Sequence, residues 1–359
     1  MRANRLLGAG VVSLGGLVVV YGVLGPLVLD VIHFRTSASG LNQVRGGDLA
    51  ALVIVAPACM AVGWLAWRGH PAAAVLALAP AIFAMYTYSQ LFLGNEFLQR
   101  PGNVERFFPL LLAMFLLATA VAVRCWGLTR SDGLPSSSRG LERGSGILLV
   151  VIAAFVVFGM HLPTLVDALR DPPSGVAYLE TPNLFWVVKF YDLAIVAPAA
   201  LTVGIGLLQH RLWARKPAYA ILGGYVLLGW SVAGMAWTML FRDDPSASLA
   251  QAIGMTGLAG AGAVFAYFLY RPLFRATTPS VPDALGSHGA YLAASQHPSR
   301  SPGLHRAGSD EDRRTSVGLS IPSGAADIVD KIRSEFRPET GSTHSSSDVH
   351  RVLVAFTPE

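Results

Sequence analysis

Charge is scarce in this chain. Only 14% of its 359 residues are Asp, Glu, Lys or Arg while 53% are hydrophobic, where an ordinary soluble domain carries about 25% charged residues. Too little charge is available to clothe a soluble fold, so the bilayer is the expected solvent. Cysteine is scarce too: Cys59 lies inside one apolar run and Cys125 at the end of another. That placement suggests neither a disulfide pair nor a metal-ligand set. No Gly-rich phosphate loop, HExxH, GxSxG or CxxC is present, so no short enzyme signature points to catalysis. The formal charge is +5, but the basic residues are scattered through short loops rather than massed on one face among aromatics, and nucleic acid is set aside as a partner.

Long apolar runs are what the chain does have. A membrane-crossing helix needs about 20 mostly apolar residues to span roughly 30 Å of hydrocarbon. Eight stretches qualify: 6–29, 49–67, 72–93, 107–126, 147–166, 191–208, 218–241 and 249–270. Arg2 and Arg5 precede the first, but its apolar run outlasts a signal-peptide core and no cleavage site follows promptly, so it is read as a retained helix. With the N-terminus placed inside, twelve basic residues stand against two acids on the inner side, and seven basic residues against ten acids on the outer side. Cytoplasmic loops retain Lys and Arg, so both termini are expected in the cytoplasm and the protein in the plasma or inner membrane. Beyond Arg275, Ser, Pro, Gly and His dominate, a composition too polar to fold alone. Within that tail, Ile328, Ile332 and Phe336 form a narrow helical stripe over 325–336. It reads as a frayed helix or as a docking helix, with Asp327, Asp330 and Glu335 arguing against an anionic membrane surface.

The chain repeats itself. Pro26 to Asp30 matches Pro163 to Asp167, Arg45-Gly-Gly-Asp48-Leu49 matches Lys189-Phe-Tyr-Asp192-Leu193, Ile54-Val-Ala-Pro57-Ala58 matches Ile195-Val-Ala-Pro198-Ala199, and Trp67 to Pro71 matches Trp213 to Pro217. These marks in order predict an all-α bundle of eight spans built as a parallel four-plus-four duplication. The expected divisions are 1–130 and 146–275 for the two membrane repeats, a linker over 131–145 and a tail over 276–359. The pattern of a basic residue, two spacers, Asp-Leu and an apolar run with Pro resembles one found in uncharacterised bacterial multi-helix integral membrane proteins. It covers 45–80 and 189–225, and the resemblance implies a membrane bundle but no particular activity.

The polar marks are the candidates for chemistry. Arg45 with Asp48, and Lys189 with Asp192, are spaced to neighbour one another on a helix. One reading makes Asp48, after Gly46 and Gly47, an N-cap neutralised at the headgroup level. The other gathers Asp30, Asp48, Asp167 and Asp192 with Arg45 and Lys189 into an outer vestibule for a cation, a proton or a polar headgroup. Asp30 and Asp167 favour the second, because each is expected at the negative end of a helix dipole, where a carboxylate needs another reason to be. Pro57 and Pro198 should break their helices, as in transporter folds. His33 and His161 are the candidate haem ligands, but haem is not expected, since they are not equivalent in the repeat and axial ligation is demanding. Gly8, Gly15 and Gly22, and Gly254, Gly257 and Gly260, read as helix-packing stripes. The leading expectation is a transporter-like or small-solute-binding protein with its site between the halves. The alternative is a scaffold or sensor that partners other membrane proteins, or its own copies, through its glycine faces and tail.

Overall fold

The computed structural model describes residues 2–130, 134–135 and 138–275; the tail and the helix expected over 325–336 lie outside the described residues. Among the described residues, eight helices are long and apolar enough to cross a bilayer. They are α1 (Arg2–Leu24), α2 (Ala38–Trp67), α3 (Ala73–Leu93), α4 (Phe108–Leu128), α5 (Arg139–Ala168), α7 (Pro182–Leu208), α8 (Leu212–Phe241) and α9 (Leu249–Arg275), with one short helix, α6 (Val176–Glu180), between α5 and α7. The protein is an all-α polytopic membrane bundle. Large apolar side chains such as Val53, Leu116, Val123, Phe158, Ile195, Ile253 and Val264 face outward. Water would not tolerate so continuous an apolar surface, whereas lipid does, provided every backbone group is satisfied within its own helix.

Helix α1 buries Leu7, Val11, Leu14, Val18 and Tyr21, a stripe at alternating spacings of four and three, against Val55, Cys59, Val62 and Ala66 of α2. Helix α4 presents Leu111, Met114, Ala118, Val121 and Cys125 in the same rhythm to the same core. Both cysteines are buried and free. A second core joins Leu148, Leu149 and Ala153 of α5 to Ala200, Val203 and Leu207 of α7, and Ala218 and Leu222 of α8 to Ala266, Leu269 and Leu273 of α9. The main helix pairs are α1 with α2, α3 with α4, α5 with α7, α8 with α9, and α8 with both α2 and α3; α3 also touches α7.

Three spans, α2, α5 and α7, begin about two to three turns earlier than their hydropathy suggests. Helix α2 starts at Ala38, where the Ser37 hydroxyl accepts the Gly40 amide at 3.1 Å, so Ser37 is the N-cap. Helix α7 starts at Pro182, and its orphan amides find an acceptor elsewhere: Glu96, fully buried in the α3–α4 connection, takes the amides of Asn183 at 2.8 Å and Leu184 at 3.4 Å on Oε1. Removing that acceptor leaves two part-buried donors unpaired. Glu96→Ala is therefore expected to cost about 2 kcal/mol and Glu96→Gln, which keeps an acceptor oxygen, clearly less; thermal unfolding in detergent reads both.

Pro57 and Pro198 do not break their helices. Each stands in the first turn of a helical segment that follows one wide π turn, Ala51–Val55 in α2 and Asp192–Val196 in α7. There the Ala56 amide reaches back to the Ala51 carbonyl and the Ala197 amide to that of Asp192. The helix thus runs on through each proline, although proline has no N–H to give. The same device precedes Pro163 in α5, where Phe155–His161 is π-helical. Such bulges cluster at functional sites.

Of the four repeated marks, the middle two occupy equivalent places and the outer two do not. Trp67 is the last residue of α2 while Trp213 is the second of α8, and Pro26 lies past the end of α1 while Pro163 lies inside α5. The glycine stripes divide as well. A Cβ on Gly8, Gly15 or Gly22 would meet Trp67, Cys59 or Leu52 at 2.7 to 2.8 Å, so these glycines seat α1 on α2. A Cβ on Gly254, Gly257 or Gly260 would meet nothing within 4 Å, so among the described residues no other helix packs on this stripe of α9.

At the end opposite the N-terminus, the α8–α9 turn is clipped to α2. Asn42 Nδ2 donates to Asp244 Oδ2 at 2.9 Å, while the Ser246 amide and hydroxyl donate to Oδ1 at 3.0 and 2.6 Å. Burial pushes the Asp244 carboxyl up, but the hydrogen bonds from Ser246 and Asn42 hold it below its ordinary range. A lowered folded value stabilises above the usual carboxylate pKa of about 3.9, and that contribution is lost as pH falls through the lowered value. Asp244→Asn should flatten this acid limb of the stability curve, measured as unfolding temperature from about pH 5 down to pH 3.

Candidate functional site

The two Asp-Leu marks are buried carboxylates inside membrane-crossing helices. Asp48 stands ten residues past the start of α2 and Asp192 ten past the start of α7, about 15 Å along each helix at 1.5 Å per residue. They are 3% and 7% exposed. The N-cap reading of Asp48 is therefore corrected: its helix has already run nearly three turns, and Gly46 and Gly47 are there because α8 approaches them, with Gly234 and Met235 against their Cα atoms. The expected ion pairs are not formed either. Arg45 gives its Nε to the Pro26 carbonyl at 3.2 Å, and the Lys189 ammonium lies 3.4 Å from the centre of the Phe185 ring, a cation–π contact one turn back on the same helix.

Asp192 has partners that the sequence did not announce. His161 Nε2 is hydrogen-bonded to Oδ2 at 2.7 Å, and the Tyr86 hydroxyl donates to Oδ1 at 2.5 Å. Both carboxylate oxygens are thus engaged, one from α5 and one from α3. His161 is buried and occupies the last position of the α5 π turn, while Asp192 opens that of α7. Next to them the Tyr225 hydroxyl of α8 donates to the Val196 carbonyl at 2.5 Å, the residue that closes the α7 π turn. Two bulged helices and two tyrosines therefore meet around one carboxylate.

A cavity of about 110 Å³ opens beside this group. Asp192, Tyr86 and Tyr225 supply its polar wall, and Ile152, Phe155, Val156, Met160, Leu222, Val226, Val232, Met255 and Leu258 supply the apolar remainder. An apolar cavity of about 150 Å³ accommodates a benzene ring, so the space suits a small, mainly apolar body with one polar group.

Among the described residues, no hydrogen bond or ion pair joins two members of the set Asp30, Asp48, Asp167, Asp192, Arg45 and Lys189. Asp30 lies exposed past the end of α1, with a positive φ of 50°. Asp167 sits in the last turn of α5, where the Ser174 hydroxyl donates to it at 2.6 Å and Arg170 stands 3.9 Å away; those partners offset the helix dipole. His33 is exposed in the loop after α1, while His161 is taken up by Asp192. A polar clamp absent from the expectations ties α5 to α8 at the N-terminal end: buried Glu142 pairs with Arg215 at 2.7 Å and faces His210 at 3.4 Å.

A stretch of the chain is similar to a curated enzyme, the phospho-N-acetylmuramoyl-pentapeptide-transferase of Rubrobacter xylanophilus, at 30% identity over 124 residues. The match covers 32% of this chain and 37% of the transferase, well under half of either. No described family and no solved structure matches. Similarity to a membrane enzyme and eight apolar helices agree on one conclusion: the chain is a multi-pass integral membrane protein.

Proposed function

We propose that the protein is a transporter-like or small-solute-binding membrane protein whose site is the cavity beside Asp192. One observation carries this reading: a carboxylate buried inside a membrane-crossing helix, bonded on both oxygens by His161 and Tyr86, lines a cavity that is otherwise apolar. Ionisable groups at such depth are costly and are kept for function. The ligand class follows from the wall: a short alkyl or single-ring body bearing an amine or hydroxyl, its head hydrogen-bonded to Asp192 or the tyrosine hydroxyls and its body against Leu222, Val226 and Met255. The paired helix contacts, α1 with α2 and α3 with α4 against α5 with α7 and α8 with α9, support the four-plus-four duplication, with α8 packing on both α2 and α3 between the halves. The surplus of basic residues on the N-terminal side supports cytoplasmic termini.

The test is binding of butylamine and benzylamine to purified protein in detergent, followed by ligand-observed NMR. Asp192→Asn should weaken binding at least about tenfold, since a hydrogen bond to a charged group is worth roughly 1.5–3 kcal/mol. Leu222→Trp, which fills the cavity and spares the carboxylate, should abolish it. Equal binding by folded Asp192→Asn would refute the assignment.

A further inference from the structure

The Asp192 cavity is half open rather than enclosed, and the helices around it show where. Helices α5, α7, α8 and α9 form a ring about it, each in contact with the next, with Tyr86 of α3 in the wall. Three neighbouring pairs of that ring are stitched. Helices α5 and α7 meet backbone to backbone, since a Cβ on Gly146 or Gly204 would stand 2.9 Å from the carbonyl oxygen of the other, and they meet again through His161 and Asp192. Helix α8 is tied to α7 by the hydrogen bond from the Tyr225 hydroxyl to the Val196 carbonyl. It closes on α9 through Gly229, where a Cβ would meet that of Ala259 at 3.3 Å, and through the Trp237–Thr256 hydrogen bond at 2.9 Å.

The fourth pair, α5 and α9, is joined at a distance from the cavity. A Cβ on Gly144 would stand 2.8 Å from the Phe265 ring, and α9 packs on α5 ahead of its π turn. Eight residues further along α5 and seven earlier on α9 come Ile152 and Leu258, about 12 and 10 Å from that contact at 1.5 Å per residue. By that level both helices face the cavity. Phe155 is 39% exposed while its side chain lines the cavity, so it stands at the mouth. The outer faces on either side are apolar, with Val151 and Phe158 exposed on α5 and Ile253 and Val264 on α9. The opening is therefore a lateral seam in the membrane face of the bundle. At the polar end, Asp192 and His161 are only 7% and 4% exposed and give water no broad entry.

We infer that the ligand is a single-chain amphiphile taken from the bilayer through the α5–α9 seam, with an amine or hydroxyl head on Asp192 and a long alkyl chain running out between the two helices into lipid. This rests on the reading of the cavity as the ligand site and names its occupant. A donor head dissolved in hydrocarbon has no acceptor and is costly there, so a carboxylate just inside the seam is where it comes to rest. The chain passes from acyl surroundings to apolar walls and gains little by the move. Selectivity therefore lies in the head and in the single opening, which admits one chain.

The experiment irradiates the full-length protein in phosphatidylcholine nanodiscs with dodecylamine carrying a diazirine at its chain end, and maps the labelled residues by mass spectrometry. Label should concentrate on the seam, at Phe155 and Phe158 of α5 and Ile253 of α9, over Leu116 and Val123, which are exposed on α4. Excess butylamine should remove the seam label and spare that on α4. Asp192→Asn should cut it at least about tenfold. Label spread evenly over α4, α5 and α9, or seam label that butylamine leaves in place, would mark ordinary lipid contact and overturn the inference in the wild type, whether or not the variant folds. If butylamine still binds by NMR in that case, the seam falls alone; if neither amine engages the protein, the cavity reading falls with it.

Discussion

Replacing His161 with Ala is expected to destabilise the bundle by about 3 kcal/mol, measured by reversible unfolding in mixed micelles. An ordinary hydrogen bond between membrane helices is worth only about 1 kcal/mol, because the chain unfolded within lipid finds other partners. The larger figure applies here because the substitution removes one member of a buried acid–base pair and leaves the Asp192 carboxylate, 7% exposed, with Tyr86 alone. The decisive result is the double variant. His161→Ala with Asp192→Asn removes the stranded carboxylate, so it should be more stable than His161→Ala alone, although it carries one more change. Additive losses would show that the pair is a conventional hydrogen bond and that the charge of Asp192 has no energetic part in the bundle.

The architecture was legible in the sequence because crossing a bilayer demands a length and an apolarity that few other structures need. The site was legible only as residues, not as an arrangement. Asp48 and Asp192 stand out by their repeated Asp-Leu context, yet their depth was hidden. The polar run from Ala38 to Asp48 looks like a loop, and only its burial against α8 shows it to be the first turns of α2. The partners of Asp192 lie 106 and 31 residues away, in α3 and α5, and a lone tyrosine or histidine in an apolar run carries no signal of what it faces. The one available signal was the proline near each end of the site. Pro163 follows His161 by two residues and Pro198 follows Asp192 by six, and a wide turn that contains the polar residue precedes each proline.

Gly46→Ala is expected to lower stability by about 3 kcal/mol, at the upper end of what overpacking costs, and Gly46→Leu should prevent α2 from seating on α8 at all. The added Cβ would stand 2.4 Å from the Gly234 carbonyl oxygen, 2.6 Å from the Met235 Cα and 2.7 Å from the Gly234 carbonyl carbon. All three are backbone atoms of α8, so no side chain can rotate away and the two helices must move apart. Close approach is what holds such helices together in lipid, where apolar side chains gain nothing by leaving the acyl chains for one another. Separation would also shift Asp48, two residues further along α2. The same substitution at Gly254 or Gly257, where a Cβ meets nothing within 4 Å, should instead stabilise by roughly 0.5–1 kcal/mol, because Ala is the better helix former. Opposite signs for one chemical change at two glycines, read by unfolding temperature and by the monodisperse fraction on gel filtration, would show that contact with α8 and not glycine content sets the cost; losses of similar size at both would show that the outward stripe on α9 is covered by another surface in the solubilised protein.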